Sequence, residues 1–298
     1  MDQLQELDRT RVFEDHRALL LSIAYRMLGT VADAEDIVQD AFIRWQGASD
    51  TDVRSPRAFL VTIVSRLCIN QLQSGHAKRE RYVGEWLPEP IVTDPGSDAF
   101  RIAQVDESVS MAMLLLLERL TPAERAVFVL NEVFGYTHAE IAATLGLAET
   151  NCRQLLSRAR RHVQAGRPRF RASRREHHDL LERFYRAAGS GDMDGLLALL
   201  SSDVVMHSDG GGKASALPLP IVGPDKVARV TVSGLVKLMT LEPLQRIIEI
   251  NGRPGIVSYV NGHAQSVFMI EVDDKELIRA IYIVTNPEKL THLPPAPS

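Results

Sequence analysis

The chain has 298 residues, of which 45% are hydrophobic and 24% are charged. This composition is ordinary for globular proteins, and the length predicts two or three domains that each bury a core. The formal net charge of -4 does not by itself suggest nucleic-acid binding, so charge has to be considered segment by segment. Two cysteines are too few for a disulfide framework, and no cysteine–histidine cluster indicates a metal site.

Two local features bear on the cellular compartment. The N-terminus lacks the basic region and apolar core of a signal peptide, and the longest apolar run, residues 111–117, is too short to span a membrane. Cys68 and Cys152 both lie in segments predicted to be helical, which suits a reduced protein. We therefore expect a cytoplasmic protein with no membrane contact, no metal and no cofactor.

The first block, residues 1–82, is predicted to be helical throughout. Its apolar residues recur at helical spacing, and its last helix is predicted to begin at Pro56, because proline is favoured in a first turn. Residues 83–105 follow as a proline-containing linker without regular structure. Trp86 is unusual there, because an aromatic residue in such a linker usually packs against another part of the protein.

The second block, residues 106–170, contains two capping boxes, each with a threonine followed three residues later by a glutamate. This spacing lets each side chain bond the backbone amide of the other residue at a helix start. The first box is Thr121 to Glu124, and Gly135 is placed to end its helix. The second box is Thr137 to Glu140, and Gly146 is placed to end its helix. A third helix is predicted over residues 149–163. A short helix, a turn and a longer helix together predict a helix-turn-helix, whose second helix enters the major groove of DNA.

The early turns of that longer helix carry side chains suited to DNA. Arginine, glutamine and asparagine reach base edges, while serine, threonine and arginine also bond phosphates. The predicted DNA-binding residues are Thr150, Asn151, Arg153, Gln154, Ser157, Arg158, Arg160 and Arg161. Arginines continue to Arg175 with no acidic residue before Glu176, which gives a local basic patch on an acidic chain. The alternative interpretation is an amphipathic helical hairpin with a solvated charged face.

The third block, residues 171–298, changes from helices to strands and predicts an α+β domain. Helices are predicted over residues 176–188, 193–200 and 225–239, and strands over residues 204–207, 245–250, 256–260, 265–272 and 276–284. His177 and His178 are expected on the surface of the first of these helices rather than as ligands.

Several motifs in the two helical blocks resemble one family. Residues 120–128 (LTPAERAVF), 136–142 (YTHAEIA) and 157–160 (SRAR) resemble region 4 of extracytoplasmic-function sigma factors. Residues 24–29 (AYRMLG) and 33–42 (DAEDIVQDAF) resemble region 2 of the same family, in the expected order. The resemblance implies two all-α sigma domains, with core RNA polymerase and promoter DNA as partners. Ala148 departs from the serine or proline that often opens the recognition helix.

The resemblance also assigns roles by position. Region 4 would bind the −35 element through the residues listed above. An acidic helix of region 2 would bind polymerase, through Asp33, Glu35, Asp36, Gln39 and Asp40. Region 2 would also open the −10 element, through Arg57, Arg66, Asn70, Gln71, Lys78, Arg79 and Arg81. Few aromatics lie there, which favours a pocket for one flipped base over a long stacking surface. Without the resemblance, the acidic residues would be interpreted as a solvated helix face.

The third block resembles the SnoaL-like (NTF2-like) fold, a cone-shaped α+β barrel with a cavity. Three motifs make the resemblance more specific to the sigma factors that carry this domain: residues 86–90 (WLPEP), 209–213 (DGGGK) and 286–290 (NPEKL). The subgroup implies that these motifs join the appended domain to the sigma core and regulate it in cis. The implied residues are Trp86, Pro88, Asp209, Gly210, Gly211, Gly212, Lys213, Asn286, Pro287 and Lys289. The glycine run alternatively forms a flexible turn or an anion-binding nest of backbone amides.

Two other functions remain open for this block. A catalytic barrel would use a base in the cavity, for which His207, Asp209, Tyr259 and His263 are candidates. A structural or solvated role is favoured for these residues, so we expect the chain not to be an enzyme. A carboxylate base would need an apolar pocket to raise its pKa. A barrel that senses a small molecule of unknown identity is the other possibility. A helix-turn-helix repressor with a sensor domain is a weaker interpretation of the whole chain, because it leaves region 2 unexplained.

Overall fold

The computed structural model describes residues 2–49, 53, 55–79, 82–93, 110–166 and 173–296, without the side chains of residues 2–7, 76–79 and 165–166. By their contacts these residues form two compact units. One is a helical unit made of the first two blocks. The other is a sheet domain that includes residues 82–93 as well as the third block. No helix in the described ranges has both the length and the hydropathy needed to cross a membrane.

The first half of the helical unit consists of α1 (Asp2–Leu28), α2 (Val31–Gln46) and α3 (Pro56–Arg79). The three helices pack on one another. Thr30 caps α2, since its side chain accepts a hydrogen bond from the Asp33 amide at 3.3 Å. Ile37, Val38 and Trp45 are buried along one face of α2, which leaves its other face to solvent.

The second half of the helical unit carries the helix-turn-helix. Its elements are α4 (Met111–Glu118), α5 (Pro122–Phe128), a π-helical turn (Val129–Val133), α6 (His138–Leu145) and α7 (Glu149–Gly166). Both predicted capping boxes are present, and Gly135 and Gly146 both have a φ of 69°. Such a left-handed residue suits glycine and stops a helix. The π-helical turn was not predicted, because no sequence pattern specifies it.

The sheet domain begins with α8 (Arg174–Ser190) and α9 (Met193–Leu199), followed by one further long helix, α10 (Pro224–Met239). Its strands are β1 (Leu200–Asp209), β2 (Ile221–Val222), β3 (Leu244–Ile250), β4 (Arg253–Val260), β5 (His263–Val272) and β6 (Ile278–Val284). A 3₁₀ turn, Pro287–Lys289, follows β6. The predicted α+β class is confirmed, and the short strand β2 and the 3₁₀ turn are additions to the prediction.

The six strands form one sheet in the order β2-β1-β6-β5-β4-β3. The β1–β6 pair is parallel and the other pairs are antiparallel. Helices α8, α9 and α10 share a hydrophobic core with the strands, in which Phe184 stacks on Phe268 with ring centroids 5.8 Å apart. The parallel pairing brings the end of β1 beside the end of β6. The motifs that follow these two strands are therefore neighbours.

His177 is buried, contrary to the prediction of a surface position, with only 1% of its surface exposed. It lies four and seven residues before Leu181 and Phe184, so helical spacing alone would have placed it on the buried face. Burial, together with the charge of Arg253, lowers the pKa of His177 to about 4. A capping box formed by Ser173 and Glu176 starts this helix and was also missed.

Replacing His177 with leucine should remove a pH dependence of folding. Below pH 6.5 the unfolded chain binds a proton at His177 that the folded chain does not, so stability falls as the pH falls from 6.5 toward 4. At pH 5 this amounts to about 2 kcal/mol relative to pH 8. Urea unfolding of the native chain and of His177→Leu at both pH values measures the difference. His178→Leu, at a neighbouring and more exposed position, should keep the native slope. An unchanged slope in His177→Leu would contradict the assignment.

Candidate functional site

Helix α7 divides into a buried and an exposed face. Cys152, Leu156, Ala159 and Val163 are buried at spacings of four, three and four residues, as an amphipathic helix requires. All eight residues predicted to contact DNA are exposed: Thr150, Asn151, Arg153, Gln154, Ser157, Arg158, Arg160 and Arg161. The structure therefore brings the predicted set together on one solvent-facing surface.

Some arginines on this surface have acidic partners. Arg153 pairs with Glu149 at 2.5 Å, and Arg160 pairs with Glu132 at 2.6 Å. Arg158 and Arg161 form no ion pair with the residues that the structure describes, and they line a shallow groove with Gln154. Because a phosphate or base would not have to displace a carboxylate from them, these two arginines are the most available cations of the surface.

Two residues predicted for the −10 element contact the helix-turn-helix half of the same unit. The Arg57 guanidinium lies 5.5 Å from the ring centroid of Tyr136, a cation–π distance. Arg66 Nε donates a hydrogen bond to the Thr144 carbonyl at 3.0 Å. In this conformation, side chains predicted to hold single-stranded DNA are bound to the helix-turn-helix half instead.

Arg125 joins the two halves of the helical unit from inside. Only 2% of its surface is exposed. Its Nη1 donates to the Met27 carbonyl at 2.7 Å and pairs with Glu118 at 2.5 Å. Met27 lies in the last turn of α1, where the helix dipole favours a cation. Arg125 belongs to a motif already noted, but its role was missed, because its partner in α1 lies 98 positions earlier.

The acidic face of α2 is exposed at Glu35, Asp36, Gln39 and Asp40. Asp33 differs, because it accepts a hydrogen bond from Gln71 at 2.8 Å. Two residues predicted for different roles, polymerase binding and the −10 element, thus bind each other. Asn70 is exposed on α3. The side chains of Lys78 and Arg79, and all of Arg81, lie outside the described residues.

The three unusual motifs of the sequence meet at one buried carboxylate, Asp209. It is fully buried at the end of β1. It accepts hydrogen bonds from the Tyr82 hydroxyl at 2.6 Å, the Leu87 amide at 2.9 Å and the Gly211 amide at 2.9 Å. Lys289 Nζ completes the set at 2.7 Å. We call this group the Asp209 cluster, which comprises Tyr82, Trp86, Leu87, Asp209, Gly211, Asn286 and Lys289.

Lys289 is the cation of the Asp209 cluster and is also buried, at 6% exposure. Its ammonium donates to the Leu87 carbonyl and lies 4.1 Å from the ring centroid of Trp86. The expectation that Trp86 packs against another part of the protein is thereby confirmed. Asn286 donates to the Tyr82 hydroxyl at 2.8 Å. Burial, and the hydrogen bond to Asp209, raise the pKa of Tyr82, so its hydroxyl remains a donor.

The glycine run of the second motif is required by close packing. A Cβ on Gly211 would lie 2.4 Å from the Asn286 amide nitrogen, and one on Gly210 would lie 2.4 Å from the Ala214 carbonyl oxygen. Gly211 also has a positive φ of 60°. The anion held by its backbone amide is the chain's own carboxylate, Asp209. Lys213, in contrast, pairs with Glu288 at an exposed position.

Beyond the cluster, residues 82–93 are bonded to the sheet domain along their length. Val92 bridges to Ile250 at the outer edge of β3, and the Thr93 amide donates to the Glu249 carbonyl at 2.9 Å. Pro88 is buried, and Glu89 pairs with His292 at 2.7 Å. The described part of the predicted linker is therefore an integral strip of the sheet domain, and it covers an edge strand that would otherwise be open.

The four candidate bases for catalysis do not converge. A cavity of about 330 Å³ lies between α10 and the sheet, and none of the four lines it. His207 pairs with Glu85 at 2.7 Å, Asp209 is occupied by its cluster, and Tyr259 is buried. His263 lies exposed at the start of β5. The catalytic interpretation of the sheet domain has no support in this arrangement.

Replacing Lys289 with methionine should destabilise the sheet domain by about 3–5 kcal/mol, because it leaves the buried Asp209 carboxylate without its cation. Lys213→Met is the matched control, since it removes an exposed pair worth at most about 1 kcal/mol. Trp86 fluorescence during urea unfolding, in a Trp45→Phe background that removes the other tryptophan, reports on the domain. Equal effects of the two substitutions would show that the Asp209 cluster does not stabilise the domain.

Comparison with known proteins gives matches for both halves of the helical unit and for nearly the whole chain. The family model for Sigma-70 region 2 matches residues 12–78, and the model for Sigma-70 region 4 matches residues 110–163. "ECF RNA polymerase sigma factor SigJ" of Mycobacterium tuberculosis (strain ATCC 25618 / H37Rv) is 38% identical over 295 residues, covering 95% of this chain and 93% of the relative. "Probable ECF RNA polymerase sigma factor SigI" of Mycobacterium tuberculosis (strain CDC 1551 / Oshkosh) is 32% identical over 280 residues, covering 93% of each.

A solved structure matches over nearly the same length. The crystal structure of Mycobacterium tuberculosis extracytoplasmic function sigma factor SigJ superimposes with a TM-score of 0.77 at 36% identity. The match covers 95% of this chain and 98% of that one. It therefore includes the sheet domain as well as both helical blocks. With regions 2 and 4 matched in order and relatives aligned over almost the whole length, the chain belongs to the extracytoplasmic-function (ECF) family of RNA polymerase sigma factors.

Proposed function

We propose that this promoter-directing sigma factor is regulated in cis by its own sheet domain. The observation that carries the proposal is the Asp209 cluster. It fixes residues 82–93, which lie on the only stretch of chain that connects α3 to α4. Those two helices belong to the halves that serve the −10 and −35 elements. A domain that holds this connection restricts the arrangements that the two halves sample, and so biases an equilibrium between conformations.

The packing of the helical unit supports a restrained state. Arg125 is bonded to the end of α1, and Arg57 and Arg66 are bonded to the helix-turn-helix half. For the −10 residues to bind DNA, at least the last two contacts have to be exchanged for contacts with nucleic acid. Fixing residues 82–93 opposes that exchange, because it removes freedom from the connecting segment. We therefore assign the sheet domain an inhibitory role in the absence of any other signal.

Transcription assays test this assignment. With core RNA polymerase and a promoter that the protein uses, Lys289→Met should raise single-round transcript yield several-fold at limiting sigma concentration. Lys213→Met, which leaves the Asp209 cluster intact, should match the native chain. Reduced or unchanged yield from folded Lys289→Met would contradict inhibition by the sheet domain. The transcript yield of the native chain in the same assay shows that the chain directs transcription, and the proposed regulation depends on that activity.

We further propose that the exposed face of α7 contacts the −35 element and that the exposed acidic face of α2 contacts polymerase. These partners support a cytoplasmic location. The side-chain types and the exposure of both faces support the assignment, and the available cations Arg158 and Arg161 are its most specific feature. As is general for sigma factors, no catalytic role is assigned to the chain.

Arg158→Ala should weaken promoter binding by the holoenzyme by about 1–3 kcal/mol, the usual contribution of one DNA-contacting arginine. Arg183→Ala, which removes the same charge from an exposed position on α8, is the control and should bind normally. Binding is measured by fluorescence anisotropy on native promoter DNA and on DNA with a scrambled −35 element. If Arg158→Ala weakens binding to native DNA but not to DNA with the scrambled −35 element, the contact is at this element. Native affinity would place Arg158 outside the interface.

A further inference from the structure

We propose that the cavity of the sheet domain binds an amphipathic monocarboxylate, with its apolar chain inside and its carboxylate at Lys237. The inference does not depend on the proposed regulation. At about 330 Å³, the cavity falls within the range of small-molecule sites in proteins. Its walls come from α10, from the sheet and from the loop at residues 214–217.

Much of the surface that lines the cavity is apolar. Met206, Leu235, Phe268 and Ile283 contribute side chains, and all four belong to or pack against the hydrophobic core of the domain. Gly234 on α10 faces the space, and a Cβ placed on it would meet no atom within 4 Å. Because Gly234 is an exposed position, the cavity opens to solvent beside it.

Several lining residues carry polar side chains, and all of them except Lys237 are uncharged. The Tyr185 hydroxyl accepts a hydrogen bond from Gln245, and Ser258 lies beside both. Burial raises the pKa of Tyr185, so its hydroxyl stays neutral. Ser266 is a further hydroxyl in the lining. Such groups match a hydroxyl or carbonyl on a ligand, but they would not neutralise an ion.

Charge at the cavity is confined to one position. Lys237, exposed on α10, is a lining residue, whereas no aspartate, glutamate or histidine belongs to the lining. A cationic ligand would find no counter-ion among the lining residues and would be repelled by Lys237. A carboxylate at the opening gains a charge-assisted hydrogen bond while the rest of the molecule is removed from water. These conditions select an anion with an apolar body.

Three probes of equal chain length test the assignment: decanoic acid, decanol and decylamine, each titrated into the full-length protein by isothermal calorimetry. We expect the acid to bind at least tenfold more tightly than the amine, with the alcohol between them. Lys237→Gln should bring acid and alcohol to equal affinity. Lys226→Gln, an exposed lysine on the same helix outside the lining, should leave the order unchanged.

A blocking variant locates the site. Gly234→Trp should abolish binding of all three probes, because the indole would cover the opening of the cavity. Ser233→Trp, at the adjacent exposed position outside the lining, should bind like the native chain. Circular dichroism and urea unfolding show that each variant folds. Absence of saturable binding, amine binding equal to acid binding, or unchanged binding in folded Gly234→Trp would each overturn the proposal. None of these outcomes bears on transcription, so regulation by the Asp209 cluster is tested separately.

Discussion

A single buried carboxylate organises the sheet domain and the segment attached to it. Removing a charge from water costs several kcal/mol unless donors replace the lost hydration. Asp209 receives three hydrogen bonds and one cation, and these come from the segment before region 4, the glycine turn after β1 and the turn after β6. Each motif is incomplete without the other two. This interdependence explains why three short, separated motifs occur in one chain.

Charged and polar side chains of the helical unit also bind partners within the chain. Arg125 satisfies the carbonyl end of one helix and a glutamate at once, and Arg66 satisfies a carbonyl in the helix-turn-helix half. Asp33 and Gln71 bond each other although they belong to surfaces with different partners. Several side chains suited to external ligands therefore have internal ligands in this conformation. Binding of DNA or polymerase at these positions is an exchange of partners rather than an addition.

Local patterns predicted most of the fold, and long-range partners were not predictable. Capping boxes and strand alternation depend on residues within a few positions of each other, and those elements were found where the sequence placed them. The position of His177 on the buried face of its helix could also have been predicted from helical spacing, but it was overlooked. By contrast, Asp209 and Leu87 are 122 positions apart, and nothing local in either segment specifies the other. The exposed face of α7 was predictable, because amphipathicity depends on residues close in sequence. The contacts of Arg57 and Arg66 with the helix-turn-helix half were not predictable, because their partners lie far away along the chain.

The separation of the cluster along the chain also sets an order of events during synthesis. Lys289 lies 202 positions after Leu87. At roughly 5–20 residues per second, the ribosome adds Lys289 roughly 10–40 s after Leu87. The N-terminal block is synthesised before Leu87 and the helix-turn-helix within that interval, while the strip at residues 82–93 still lacks its partners. Each new molecule thus passes through a period in which both promoter-binding parts have been synthesised and the connection between them is not yet held.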